Sequence, residues 1–333
     1  MLRARRNDYD VSNTVQVSSA PAVCEAVEQL FHASWPGASF ERVAQAFDDL
    51  ERLFSGRMPG YHGVDTVYHD RQHTLDMTLA MARLLAGHEH EHAGEARLEA
   101  DRATMGLVTS LFHDAGYIRE TTDHEHRNGA EFTLFHVTRS ARFLARYLPT
   151  LGMEDWVPVA TRIVHFTGYE VQFDQIHLAD PRDRTVGHLL GTADLIAQMA
   201  DRCYLEKCRD RLYPEFVLGG VAAPYAEASG LQVRYSSGLD LLRQTPQFFE
   251  EVRSTRLDGE FGRAYRYIEP LFNGHNPYLE AIEQNLAYLQ EILRSENWPL
   301  LRRNPPCFTS QDAPLQNIRA LMLGHLKDVW SKP

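Results

Sequence analysis

Cysteine is scarce in this chain. The four residues Cys24, Cys203, Cys208 and Cys307 form no CxxC pair, which argues against a disulfide framework or a thiolate zinc site. Long apolar runs are missing too: no stretch approaches the ~20 mostly apolar residues that span a bilayer. The basic cluster Arg3, Arg5 and Arg6 is followed by the polar run DYDVSNTVQVSSAPAV, where a signal peptide would carry an apolar segment. These absences lead us to expect a cytoplasmic protein with no membrane partner. Positive charge is in deficit: the 333 residues carry a formal net charge of −11, which speaks against a nucleic-acid partner, because a phosphate backbone rewards basic surfaces. No GxSxG elbow and no P-loop occur. What remains is an ordinary globular composition, 44% hydrophobic and 24% charged, with ample length for a substantial core.

Two-residue alternation is not sustained anywhere, and helical spacing runs almost throughout. Ala130, Leu134, Val137, Ala141, Leu144 and Leu148 keep one face apolar until Pro149. Further helices are predicted over roughly 22–34, 41–55, 70–86, 95–113, 155–166, 185–213, 238–270, 277–294 and 315–329. The fold class is therefore all-α. Residues 1–20 read as a flexible tail, 21–270 as the main domain and 271–333 as a C-terminal helical extension. Stretches 87–94, 115–125, 168–183 and 217–236 read as loops. In 277–294 the residues Leu279, Ile282, Leu286, Leu289 and Leu293 repeat at heptad-like steps. Such a seam packs on the chain's own core or pairs two subunits in a homodimer.

Histidine is the residue type that stands out, with 16 copies. In YHDRQHTLD, His69 and His73 are four apart on a predicted helix, so both rings leave one face about a turn apart. In LVTSLFHDAGY an apolar helix ends on adjacent His113 and Asp114. A carboxylate buried beside an imidazole usually has a cation or a metal as partner, and its two oxygens can bridge two ions; a helix C-cap with a surface His and Asp is the other reading. GHEHEHAGE, with His88, His90 and His92, reads as a solvated loop after a helix-ending Gly, or as a His-rich metal tract. Gln198 lies one turn beyond Asp194 on the same helix face, where it can line a substrate pocket.

With these residues in order, the chain resembles the HD superfamily of metal-dependent phosphohydrolases, and the resemblance runs along about 60–215. His73 matches the first ligand, His113-Asp114 the signature doublet, and Asp194 in GTADLIAQMADR the closing aspartate. His126, with Gly129 three positions on, looks like the histidine that opens a helix in two-metal members, with neighbouring His124 as its alternative. His165 in IVHFTGYE looks like their further histidine. The stretch Tyr68-His69-Asp70 is similar to the Tyr-His-Asn stretch of cyclic-nucleotide phosphodiesterases, which implies a proton-donating role for His69. Asp70 and Tyr117 depart from that pattern, standing where those enzymes carry Asn and another His.

The resemblance implies an HD/PDEase-type helical domain with additional C-terminal helices and two divalent ions (Fe, Mn, Mg, Co or Ni) held by His73, His113, Asp114, His126, His165 and Asp194. It implies hydrolysis of a phosphodiester or phosphomonoester of a nucleotide by a bridging hydroxide, with Asp114 as the bridge and His69 as general acid. A small branch of similar proteins uses such ligands as a diiron oxygenase, and a metal-retaining regulatory module is a further alternative.

Overall fold

A computed structural model of the chain describes residues 5–222, 225–227, 230–232 and 234–330. Its helices are α1 (Ala20–Ser34), α2 (Glu41–Phe54), α3 (Arg71–Glu91), α4 (Ala100–Leu111), α5 (His136–Tyr147), α6 (Val157–Ile163), α7 (Pro181–Ala200), α8 (Tyr204–Lys207), α9 (Tyr213–Leu218), α10 (Gly238–Val252), α11 (Pro277–Ser295) and α12 (Pro314–Trp330). The fold class is all-α; a short antiparallel pair, Tyr225–Glu227 with Gly230–Gln232, is the exception among the described residues. No described helix is long and apolar enough to cross a membrane.

The helices form where the apolar spacing demands them. On α2, Val43, Ala46, Phe47, Leu50, Leu53 and Phe54 are buried, steps of three and four that give one inward face. On α5 the buried set is Val137, Ser140, Phe143, Leu144 and Tyr147. This helix starts at His136, later than its apolar pattern suggests, because Gly129–Phe132 forms a separate tight turn.

Helix α3 is buried on all sides from Gln72 to Glu89 and runs through the centre, packed by α1, α4, α7 and the stretch Ala264–Phe272. It also runs through Gly87, where the sequence suggested a stop. A Cβ there would lie 1.6 Å from the Tyr267 carbonyl oxygen, so this glycine lets two backbones touch. The expected solvated loop is thereby corrected: His88 is buried within α3 and stacks on His92 with ring centroids 4.0 Å apart.

Polar groups inside α3 are partnered from far along the chain. Arg83 donates to Asp10 at 2.6 Å and to the Tyr278 hydroxyl at 2.8 Å. Asp10 is fully buried and also accepts the Thr14 and Val15 N–H groups. From Arg5 onward, the segment expected to be a flexible tail is thus tied to the core. Breaking a buried ion pair typically costs ~3–5 kcal/mol, enough to hold a short segment in place.

One continuous core extends from Val17 to Leu301. Tyr278, Ile282, Leu289 and Ile292 of α11 belong to it, and the Asn285 side chain donates to the Met199 and Asp201 carbonyls at 2.9 Å, closing the end of α7. The heptad-like seam is therefore used within the chain. Helix α12 packs on α9, with Ile318 against Val67, Ala130 and Leu218.

Candidate metal centre

Three parts of the chain bring four donor atoms together. Asp70 caps α3, accepting the His73 N–H at 3.2 Å and the Phe308 N–H at 3.0 Å, so His73 falls in the first turn. The Asp70 departure from the phosphodiesterase pattern is thus a helix cap. His113 and Asp114 follow the end of α4. The His113 Nδ1–H donates to the Ser110 carbonyl at 2.8 Å, which leaves Nε2 bare and aimed inward. Asp194 stands on α7, amid an almost wholly buried run.

The His73 and His113 Nε2 atoms are 3.4 Å apart. Asp114 Oδ2 is 3.4 Å from the first and 3.2 Å from the second. Asp194 Oδ1 is 3.3 Å and 3.8 Å from them. Donors bound at ~2.0–2.2 Å around one ion stand about 3–3.5 Å from each other. Asp114 Oδ2 is buried and makes no hydrogen bond of acceptable geometry despite these short contacts. Two imidazoles and two carboxylates without thiolate suit Fe, Mn, Co or Ni, and on this geometry the residues fit one ion.

The charges agree with such a cluster. Burial disfavours the ionised Asp114, yet His113, His73 and His69 outweigh it and hold the carboxyl well below its usual range. Burial likewise opposes a charged His73, but Asp114 and Asp194 raise its pKa to about 10. Protons and a metal would compete for the same place.

Asp114 also presents its second oxygen. His136 Nε2 is 3.7 Å from Asp114 Oδ1, and its Nδ1–H donates to the Thr133 carbonyl at 2.8 Å, the same orienting device as at His113. Burial pushes the His136 pKa down against the pull of Asp114, favouring the neutral form that ligates metals. His165 sits in the short helix Val164–Thr167, packed on α5 and α7. Its Nδ1 is buried without a partner, and burial lowers its pKa as well. No described contact joins His165 directly to Asp114.

No described contact joins His126 to these donors. Its Nδ1 is 2.9 Å from Asp123 Oδ2 and its ring packs on Phe132 at 4.5 Å, outside the group formed by His73, His113 and Asp114. His124 is exposed in the same loop. Gly129, which pointed to His126, has another reason to be glycine: a Cβ would lie 2.1 Å from the Tyr117 carbonyl oxygen. His136, ten residues on, is the histidine that opens a helix beside the doublet. Tyr117 stacks between His69 and His136, at 4.4 Å and 4.3 Å.

His69 is not in the donor cluster. Its Nδ1 is 2.6 Å from Glu215 Oε2. Glu215, on α9, is fully buried and accepts the Val67 and Tyr68 N–H groups, each at 2.6 Å. The sequence reading missed Glu215, although a lone acid between Pro214 and Phe216 was a signal that something must satisfy it. Gln198 falls where its spacing placed it, accepting from the Tyr68 hydroxyl at 3.2 Å. With Tyr68, Gln72, His73, Asp76, Asp201 and Lys207 it lines a small pocket that is partly open to solvent.

No protein-family model and no curated protein matches the chain.

Proposed function

We propose that the chain is an HD-type metal-dependent phosphohydrolase acting on a phosphodiester or phosphomonoester of a nucleotide. The observation that carries this reading is the pairing of a convergent His73, His113, Asp114 and Asp194 donor set with an imidazole beside it that ligates nothing and is backed by a buried carboxylate. Those four residues would hold one ion, and Asp114, His136 and His165 would hold a second. When bound, the ions supply Lewis-acid polarisation of a phosphoryl group and lower the pKa of water.

The chain's own residues do the rest. Glu215 fixes the His69 ring by taking its Nδ1–H, so Nε2 carries the transferable proton when the ring is charged. A donor held this way passes its proton to the departing alkoxide, and the buried carboxylate offsets the charge on the imidazolium. Tyr117 holds the planes of His69 and His136 by stacking on both. Tyr68 and Gln72 direct polar groups at the neighbouring pocket, where Gln198 meets the non-reacting part of the substrate.

Metal analysis of anaerobically purified protein, joined to turnover assays on a panel of phosphodiesters and nucleotides, tests the proposal. About two ions per chain with phosphate-ester cleavage is the expected result. Oxygen uptake with an iron-derived absorbance and no ester cleavage would replace the hydrolase by the diiron oxygenase, and a metal-loaded protein with neither activity would make it a binding module.

A further inference from the structure

One buried charge is left over when the donor set and the His69–Glu215 pair are accounted for. Arg256 lies in the π-helical stretch Arg253–Glu260 that follows α10, and only 6% of it is exposed. Other buried arginines have a carboxylate: Arg83 meets Asp10 at 2.6 Å, Arg102 meets Asp183 at 2.7 Å and Arg211 faces Asp70 at 3.6 Å. Arg256 has none within 4 Å among the described residues. Its Nη2 donates to the Gly168 carbonyl at 2.6 Å, while Nη1 is buried with no partner at all. A buried guanidinium with an idle donor is costly unless something anionic completes it.

The surroundings hold this charge in place without neutralising it. The Tyr169 ring lies 3.6 Å from the guanidinium carbon and Phe173 lies 4.9 Å from it, both cation–π contacts. Gly168, which takes Nη2, is hydrogen-bonded back to the His165 carbonyl at 3.3 Å. Arg256 is thus clamped to the segment that carries His165. Burial outweighs the attraction of Tyr169 and Asp194 and lowers its pKa. Interruptions of this kind in a helix are frequent at functional sites.

We propose that Arg256 is an anion-binding residue of the metal centre and that its free Nη1 takes a phosphoryl oxygen of the substrate. The inference rests on the metal-centre reading and narrows it, since it fixes the recognised group as a phosphate. An arginine fork is suited to this because its planar donors match phosphate oxygens.

Inorganic phosphate is the probe, its binding to metal-loaded protein measured by calorimetry, with metal content and melting temperature determined on the same samples. Wild type should bind phosphate, and R256Q should bind it at least tenfold more weakly with unchanged metal content, in line with the strength of a charge-assisted hydrogen bond. R256K keeps the charge without the fork and should fall between the two, which preserves the test if R256Q does not fold. Equal phosphate affinity in wild type and R256K or R256Q, with only a lowered melting temperature, would make Arg256 a staple of the Gly168 segment and overturn the proposal, as would a metal-loaded wild type that ignores phosphate. A wild type without metal would instead bring down the metal-centre reading on which this one stands.

Discussion

The two oxygens of Asp114 meet unlike surroundings. Around Oδ2, His73, His113 and Asp194 are each less than a tenth exposed, and every donor rides on or just after a long buried helix. Around Oδ1, His136 is 3.7 Å away with 17% of its side chain exposed; His165, in a four-residue turn, makes no described contact with Asp114. A rigid donor set loses little entropy on binding an ion, whereas donors on short turns must be ordered first. On the proposed metal-centre reading, the Oδ2 side would hold an ion more tightly than the Oδ1 side. The difference teaches that the two oxygens of one carboxylate need not offer equal sites.

The largest break in this comparison is Asp114→Ala, which removes the shared ligand. Both ions should be lost and turnover abolished, as read by metal analysis and ester cleavage. A variant that keeps one ion would mean that the two sides do not share Asp114.

His69→Ala should come next. It belongs to neither side of Asp114, so both ions should stay while turnover of diesters with a basic alkoxide falls ~10²–10⁴-fold, the usual worth of a positioned proton donor. Esters with a nitrophenyl leaving group need little protonation and should lose far less. Equal losses on both substrates would remove His69 from the acid role.

His136→Ala sharpens the contrast directly, since it strips only the Oδ1 side. About one ion per chain should remain, held as tightly as the first ion of the wild type. Loss of both ions would show that the two sides are one cooperative unit.

Titration separates the sides again. His73 has its pKa raised from 6.5 to about 10 because two carboxylates overcome its burial. A raised folded value gives stability that is complete below pH 6.5 and drains away as pH climbs toward 10. His136 is shifted down by burial, so its charging costs stability only below its ordinary value. Melting of metal-free protein should therefore fall from pH 6.5 toward 10 and flatten in His73→Ala. A flat wild-type curve would mean that His73 carries no proton in the metal-free cluster.

Much of the tight side was legible in the sequence. The His-Asp doublet at the end of an apolar helix and His73 near a helix start are local features, whereas Asp194 came only from the resemblance; the helical spacing that gave the all-α class is local too. Gln198 followed from one-turn arithmetic. The looser side was harder because it depends on where α5 begins. The Gly129 signal pointed to His126, although that glycine answers a backbone contact with Tyr117. Glu215 and Arg256 lie far along the chain from the residues they meet, 146 positions for His69 and 88 for Gly168. No spacing rule brings such pairs together; only the packing of α9 and of the π-helical stretch does.

The smallest effect should come from His126→Ala, and it is the sharpest control on the choice of His136. The His126 side chain is 32% exposed and its ion pair with Asp123 is a surface contact three residues away. Exposed pairs of this kind contribute little, and surface substitutions usually change stability by less than ~0.5 kcal/mol. The Asp123 carboxyl, where desolvation is overcome by hydrogen bonds from His126 and Glu125 that together hold it down to about 2, keeps its backbone partners after the substitution. His126→Ala should thus retain two ions, wild-type turnover and a nearly unchanged melting temperature. If metal analysis instead found one ion missing in His126→Ala and both present in His136→Ala, the exposed loop would swing in to supply the second ligand. The comparison between a finished side and a looser one would then have to be redrawn around that movement.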